Sequence, residues 1–238
     1  MKKIIIALAV LLGLASCKIE RDLSVVVQEM MNSQSGLLVN DLGVKYSITD
    51  QSEANSILKH QRVFLTGLAE PSESATYDYT LEPYEWFAVT VQDCVKKSTV
   101  EDIDATLGTA PADVSHAWIQ APYINILSTV SFDSANDSFD GELNLMFDDE
   151  RSTETDLYFV LKNKQTGKTW EDETLSPEKV AFGAIFLSFP FDQYLAPGFK
   201  GEINVTIDWR WFDPNPIDES LPYRYVSDKQ GKYTVTIN

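Results

Sequence analysis

The sequence predicts an all-β protein built as two β units, a small N-terminal meander or barrel and a larger C-terminal sandwich. Three observations carry this. Five Trp, ten Tyr and twelve Phe supply the large flat side chains that suit a pleated, half-buried surface. From residue 61 onward, short apolar or alternating runs recur between clusters of turn-forming residues. From residue 117 on these runs amount to roughly seven strands, a number that suits a two-sheet sandwich. No internal repeat or low-complexity block interrupts them.

The first segment to account for is the leader, MKKIIIALAVLLGLASC. Lys2 and Lys3 form a positive n-region, Ile4 to Leu14 an apolar h-region, and Ala15 and Ser16 a small-residue cleavage site ahead of Cys17. The apolar run holds 11 residues, too short for the roughly 20 that a spanning helix needs. Residues 1–16 therefore read as a removable export signal. Leu14-Ala15-Ser16-Cys17 resembles the bacterial lipobox, in which the cysteine thiol takes a diacylglyceryl group and becomes mature residue one. The competing reading is an ordinary cleaved signal with a cysteine beside it. With two or more acyl chains on Cys17, at ~0.8 kcal/mol per buried methylene, the anchor would be stable. Cys94 is then left without a partner, so no intramolecular disulfide is expected. It lies in Trp86-Phe-Ala-Val-Thr-Val-Gln-Asp-Cys-Val95, where a buried small hydrophobe is the default.

Residues 17–36 read as a tether with a short segment of helical or extended character, Leu23 to Met31, followed by a strand within Leu37 to Ile48. Arg62 to Leu68, Ala75 to Leu81 and Tyr84 to Val91 are strand-like runs with the turn-rich Glu70 to Ser74 between the first two. Lys96 to Val114 lacks a strand pattern and carries Gly108 and Pro111, which places the boundary between a first domain, 37–104, and a second, 105–238. There the runs are Ala117 to Phe132, Asp140 to Phe147, Asp156 to Leu161, Val180 to Phe189, Gly201 to Phe212 and Lys232 to Ile237. Leu143, Leu145 and Phe147 fall on one face and Asn144 and Met146 on the other.

Loss of Lys2 and Lys3 with the signal leaves 17 basic against 36 acidic side chains, a formal charge of −19. Nucleic acid and anionic lipid surfaces are therefore poor partners. Catalytic signatures fail in turn. Gln165-Thr-Gly-Lys-Thr-Trp170 contains Gly-Lys-Thr, but a phosphate-binding loop needs another glycine where Lys162 stands, so it reads as a hairpin turn with Gly167 at positive φ. His60 and His116 belong to no zinc or triad motif, and a Gly-x-Ser-x-Gly elbow is missing. The sequence thus assigns no catalytic residue, cofactor or metal, and the expectation is a protein that is not an enzyme.

Two stretches carry competing readings. In Asp208-Trp-Arg-Trp-Phe-Asp213, Trp209 and Trp211 project from one side of a strand with Arg210 opposite. Such a pair either stacks on a sugar or packs in the core. The acidic run Asp148 to Asp156 has the charge for calcium without the glycine and ligand spacing of a calcium loop, and reads as a solvated connection.

The lipobox, the strand around Gln61-Arg-Val-Phe-Leu65, the segment Ala117-Trp-Ile-Gln-Ala-Pro-Tyr-Ile-Asn-Ile126 and Phe189-Pro-Phe-Asp-Gln-Tyr194 together resemble the NigD-like lipoproteins of Gram-negative anaerobes. The resemblance spans nearly the whole mature chain. It implies an OB-like barrel followed by a β-sandwich, an outer-membrane location with the membrane as partner through the anchor, and a binding or assembly role. A bacteriocin-linked or immunity role, with an envelope protein as partner, goes with the family's name; a glycan as partner is suggested instead by the aromatic content and the Trp209/Trp211 spacing. Lys18 and Ile19-Glu-Arg-Asp22 only loosely resemble the acidic stretch that sends some such lipoproteins to the cell surface, so periplasmic leaflet and cell surface both stand. Asp133-Ser134-Ala135 resembles the three-residue acceptor of a general O-glycosylation system in some of these bacteria, with Ser134 as the modified residue. The competing reading is a plain polar turn.

Overall fold

The computed structural model describes residues 24–136, 138–169, 171, 176–213 and 225–237. The signal segment and Cys17 lie outside these residues. The first unit is a closed five-stranded barrel of β1 (Val25–Gln34), β2 (Leu37–Asn40), β3 (Lys45–Ile48), β4 (Arg62–Pro71) and β5 (Tyr79–Ala88), in the order β1-β2-β3-β5-β4. The β1/β4 ladder closes the ring, and a helix, α1 (Gln51–Ile57), sits between β3 and β4. This is the OB-like arrangement. Strand alternation sends Val27, Met31, Val63, Leu65 and Leu81 inward to one core. Asp50 caps α1 by accepting from the Glu53 backbone N–H at 2.8 Å, and Ala54 and Ile57, three apart, are the helix's buried residues.

Several boundaries differ from the sequence expectation. Val25–Gln34, within the segment read as tether with helical or extended character, is the first barrel strand: it pairs with β4 from Val25 to Asn32, and Val27 and Met31 point into the barrel core. Leu37 to Ile48 is a hairpin of two strands, turning at Gly43 with φ +84°. The runs on either side of Pro83 are one strand, whose register with β4 slips between Thr66 and Gly67. Gly67 is required there, since a Cβ would lie 2.6 Å from the Glu82 carbonyl oxygen.

The sandwich begins earlier than expected. β6 (Thr90–Val91) and β7 (Val95–Lys96) follow the barrel at once and join opposite sheets. A helix, α2 (Ile103–Leu107), precedes β8 (Ala112–Gln120), β9 (Tyr123–Asp133), β10 (Gly141–Phe147), β11 (Asp156–Gln165), β12 (Val180–Pro190), β13 (Gly201–Asp213) and β14 (Tyr225–Ile237). One sheet has the order β14-β13-β11-β10-β7 and the other β6-β12-β9-β8. Among the described residues, seven of the nine strands of this unit are long, in keeping with the roughly seven strands expected. Ala117 to Phe132, read as one run, is the β8/β9 hairpin turning at Ala121-Pro122. Gly167 does not sit at positive φ, and among the described residues no hairpin forms around it, since β11 and β12 belong to different sheets; Trp170 lies outside the described residues.

Inward residues of the two sheets meet in one core that includes Leu143, Leu145, Phe147, Phe159, Ile203, Ile207, Ile124, Ile126 and the fully buried Phe189 and Phe191. Each fully buried large apolar side chain contributes about 1.5–3 kcal/mol. Cys94 lies at the edge of this core as a free, buried thiol, and burial followed by the charge of Asp93 pushes its pKa up. That is the environment of an inert packing residue.

Candidate functional site

The outer face of the four-stranded sheet meets the barrel, and period-two alternation decides what it presents. With Ile124 and Ile126 in the core, Tyr123, Asn125 and Leu127 point the other way; with Leu187 and Phe189 inward, Phe186 and Ser188 point the same way. Register places His116, Trp118 and Gln120 of β8 opposite Leu127, Asn125 and Tyr123. From the barrel, Val63 and Leu65 face inward, so Arg62 and Phe64 of β4 face this sheet.

Arg62 is completely buried, and all five of its guanidinium N–H groups are used. Its Nη1 donates to Asn32 Oδ1 at 2.8 Å and Asp41 Oδ1 at 2.7 Å. Nη2 donates to Asp41 Oδ2 at 2.6 Å and to Asn125 Oδ1 at 3.0 Å, and Nε donates to Ser188 Oγ at 2.9 Å. The planar guanidinium also lies 4.0 Å from the centre of the Tyr123 ring. Asn32 and Asp41 belong to the barrel, and Asn125, Ser188 and Tyr123 to the sandwich, so one side chain ties the two units together. Asp41 is held in turn by its loop, where Asn40 Oδ1 accepts from the backbone N–H of Leu42 and Val44 at 3.0 and 2.9 Å. Only arginine has the bidentate fork and the extra donors that this arrangement uses.

Beside this lock runs an open groove between the units. Its larger part, about 440 Å³, is lined by Met30, Phe64, His116, Trp118, Leu127 and Phe186 among others. A smaller part of about 140 Å³ continues past Trp118 to Asp41, Leu42 and Gln120. Five rings form an unbroken row across the junction: Phe87 to Phe186 at 5.5 Å, Phe186 to Phe64 at 4.9 Å, Phe64 to Trp118 at 6.1 Å and Trp118 to His116 at 5.4 Å. Leu42, 75% exposed, lines the smaller part of the groove, and Phe87, 42% exposed, ends the row of rings. Apolar surface left open beside a rigid polar anchor is suited to hold a partner's side chains. Sequence reasoning missed this site. Its signals were an arginine heading an apolar strand, Arg62-Val-Phe-Leu65, and a polar residue between two isoleucines at Asn125.

The residues singled out from the sequence fall elsewhere and apart from one another. Trp209 and Trp211 continue the inward side of β13 after Ile203, Val205 and Ile207. Trp209 packs against the sandwich core and donates Nε1–H to Asp113 at 3.1 Å, while Trp211 contacts Phe182 and Phe212. Ser134 is exposed in the turn after β9. His60 lies tilted against Trp86 with ring centres 5.3 Å apart, His116 lines the groove, and no metal-ligating cluster occurs among the described residues. The acidic run after Phe147 is not simply solvated. Asp148 is buried and takes Lys97 Nζ at 3.2 Å, Glu150 takes the same ammonium at 2.6 Å, and Asp149 accepts the Ser98 backbone N–H at 3.1 Å with Lys96 Nζ at 3.3 Å. Hydrogen bonding from Ser98, then from Lys96, holds the Asp149 carboxyl down at about 2.

No protein-family model and no curated protein matches the sequence. Solved structures do match the fold. A protein of unknown function (DUF1344) from Bacteroides vulgatus is similar with a TM-score of 0.55 at 15% identity, over 90% of this chain and 91% of that one. A NigD-like immunity protein from Bacteroides caccae gives 0.54 at 14% identity, over 88% and 96%. A candidate lipoprotein from Bacteroides fragilis gives 0.52 at 12% identity, over 90% and 97%. The chain thus has, from barrel through sandwich, the fold of the NigD-like proteins that its sequence resembles.

Proposed function

We propose that this protein is a non-enzymatic lipoprotein of the outer membrane, anchored through Cys17, whose interdomain groove docks an envelope protein partner. The observation that carries the docking role is the row of five rings spanning barrel and sandwich beside a fully buried Arg62. Aromatic residues at a rigid, concave junction are what protein interfaces use as anchors. The mature charge of −19 favours a basic partner surface. The description of the Bacteroides caccae structure as an immunity protein, and of the Bacteroides fragilis one as a lipoprotein candidate, supports a partner-binding role at a membrane. Glycan stacking on Trp209 and Trp211 as a pair has less support, since both rings already contact other protein groups.

The test places a photoreactive residue at Gln28, which is exposed and lines both parts of the groove, and as a control at Asn55 on α1. Illumination of intact cells should give a protein adduct from position 28 that exceeds any from position 55. In the Cys17→Ser background the protein should leave the membrane fraction. Equal adducts from both positions would remove the docking role, and membrane retention of Cys17→Ser would remove the anchor.

A further inference from the structure

We propose that the crevice where β11 and β13 fork is a binding site for a neutral saccharide. The site is independent of the interdomain groove and lies in the five-stranded sheet. The two strands run parallel and pair from Asp156↔Asn204 to Val160↔Asp208, and there the ladder ends. Beyond that point residues 108–110 enter the gap: Ala110 donates its N–H to the Asn163 carbonyl at 3.1 Å, and the Thr109 carbonyl accepts from Arg210 Nη1 at 2.7 Å. A cavity of about 490 Å³ results, walled by both strands and by Asp228 to Gln230 of β14. Neighbouring strands that separate leave a cleft edged by backbone polar groups.

The lining decides the ligand class. Three acidic side chains, Asp104, Asp208 and Asp228, balance three basic ones, Lys162, Arg210 and Lys229, in a chain whose overall charge is −17. A site with no net charge in so acidic a protein does not select ions. Five of the six charges are already paired within the protein. Lys162 meets Asp104 at 3.0 Å, Arg210 meets Glu171 at 3.4 Å, Asp208 meets Arg151 at 2.8 Å, and Lys229 meets Asp213. A charged ligand would have to break those pairs. A hydroxyl group would not, because a paired carboxylate still accepts and a paired ammonium or guanidinium still donates. Gln230, bonded to Asp208 Oδ1 at 2.7 Å, and the carboxylate of Asp228, which has no ion-pair partner among the described residues, add planar groups that can address adjacent hydroxyls. Val160 supplies apolar surface for a sugar's C–H face.

The test uses the mature chain carrying Cys17→Ser on an array of neutral glucan, mannan, xylan, galactan and fructan oligosaccharides, with uronic-acid oligomers and free amino acids alongside. Calorimetric titration then follows the best-retained neutral oligosaccharide. Gln230→Ala and Asp228→Ala, both at exposed positions, should each weaken its Kd at least tenfold without lowering the melting temperature. Glu202→Gln, exposed near the far end of β13, should leave Kd unchanged. The proposal is overturned if no neutral oligosaccharide is retained, if only uronates or amino acids bind, or if Kd ignores both crevice substitutions. None of these outcomes bears on the crosslinking from Gln28.

Discussion

Gly108 and Gly198 separate two costs that are usually confounded. Both have positive φ, +80° and +73°, which a Cβ makes unfavourable. Around Gly198 nothing lies within 4 Å, so Gly198→Ala carries backbone strain alone, ~1–2 kcal/mol. A Cβ on Gly108 would also lie 2.3 Å from the Asn163 carbonyl oxygen and 2.4 Å from Lys164 Cα, backbone atoms that cannot give way cheaply. Gly108→Ala should therefore shift the urea midpoint well beyond the shift seen in Gly198→Ala; equal shifts would refute the packing of 108–110 against β11. Gly108 had been legible only as a breaker in a patternless stretch. Its close neighbours lie more than fifty residues ahead, and no local pattern encodes them.

At the scale of elements, alternation made the strands legible and their partners illegible. Leu143, Leu145 and Phe147 announced an inward face, and the structure buries all three. For Val25–Gln34 the sequence leaves helical and extended character both open, because what makes it a strand is β4, thirty or more residues on. The connection after β10 was misread for a related reason: an acidic run looks solvated until Lys96 and Lys97 are placed beside it. This latch has a pH signature. The folded-state pKa of Asp149 lies below its ordinary value, so the carboxylate's contribution is complete above about pH 4 and is lost as pH falls through about 2. Carboxyl NMR should place the Asp149 midpoint near 2, with amide-exchange protection in residues 97–100 falling over the same interval. A midpoint in the ordinary aspartate range would dissolve the latch.

The whole molecule depends on a residue whose partners span the chain. Arg62 reaches Asp41, Asn32, Asn125 and Ser188 at sequence separations of 21, 30, 63 and 126 residues. The sequence showed an arginine at the head of a strand and an asparagine inside another, and nothing local could say that they meet. The connection adds to the coupling, since Val89 donates its N–H to the Arg62 carbonyl at 3.0 Å and β6 begins at the next residue. Removing one partner from a buried, hydrogen-bonded charge pair costs about 3–5 kcal/mol, because the remaining charge is left uncompensated. Arg62→Met should impose that cost at the junction, whereas both apolar cores remain intact. Differential scanning calorimetry of the wild type and Arg62→Met tests the central claim, that barrel and sandwich form one rigid unit around this side chain. A single wild-type transition whose calorimetric and van't Hoff enthalpies agree, resolving into two transitions in Arg62→Met, is the predicted result; two transitions in the wild type, or an unchanged single one in the variant, would contradict it.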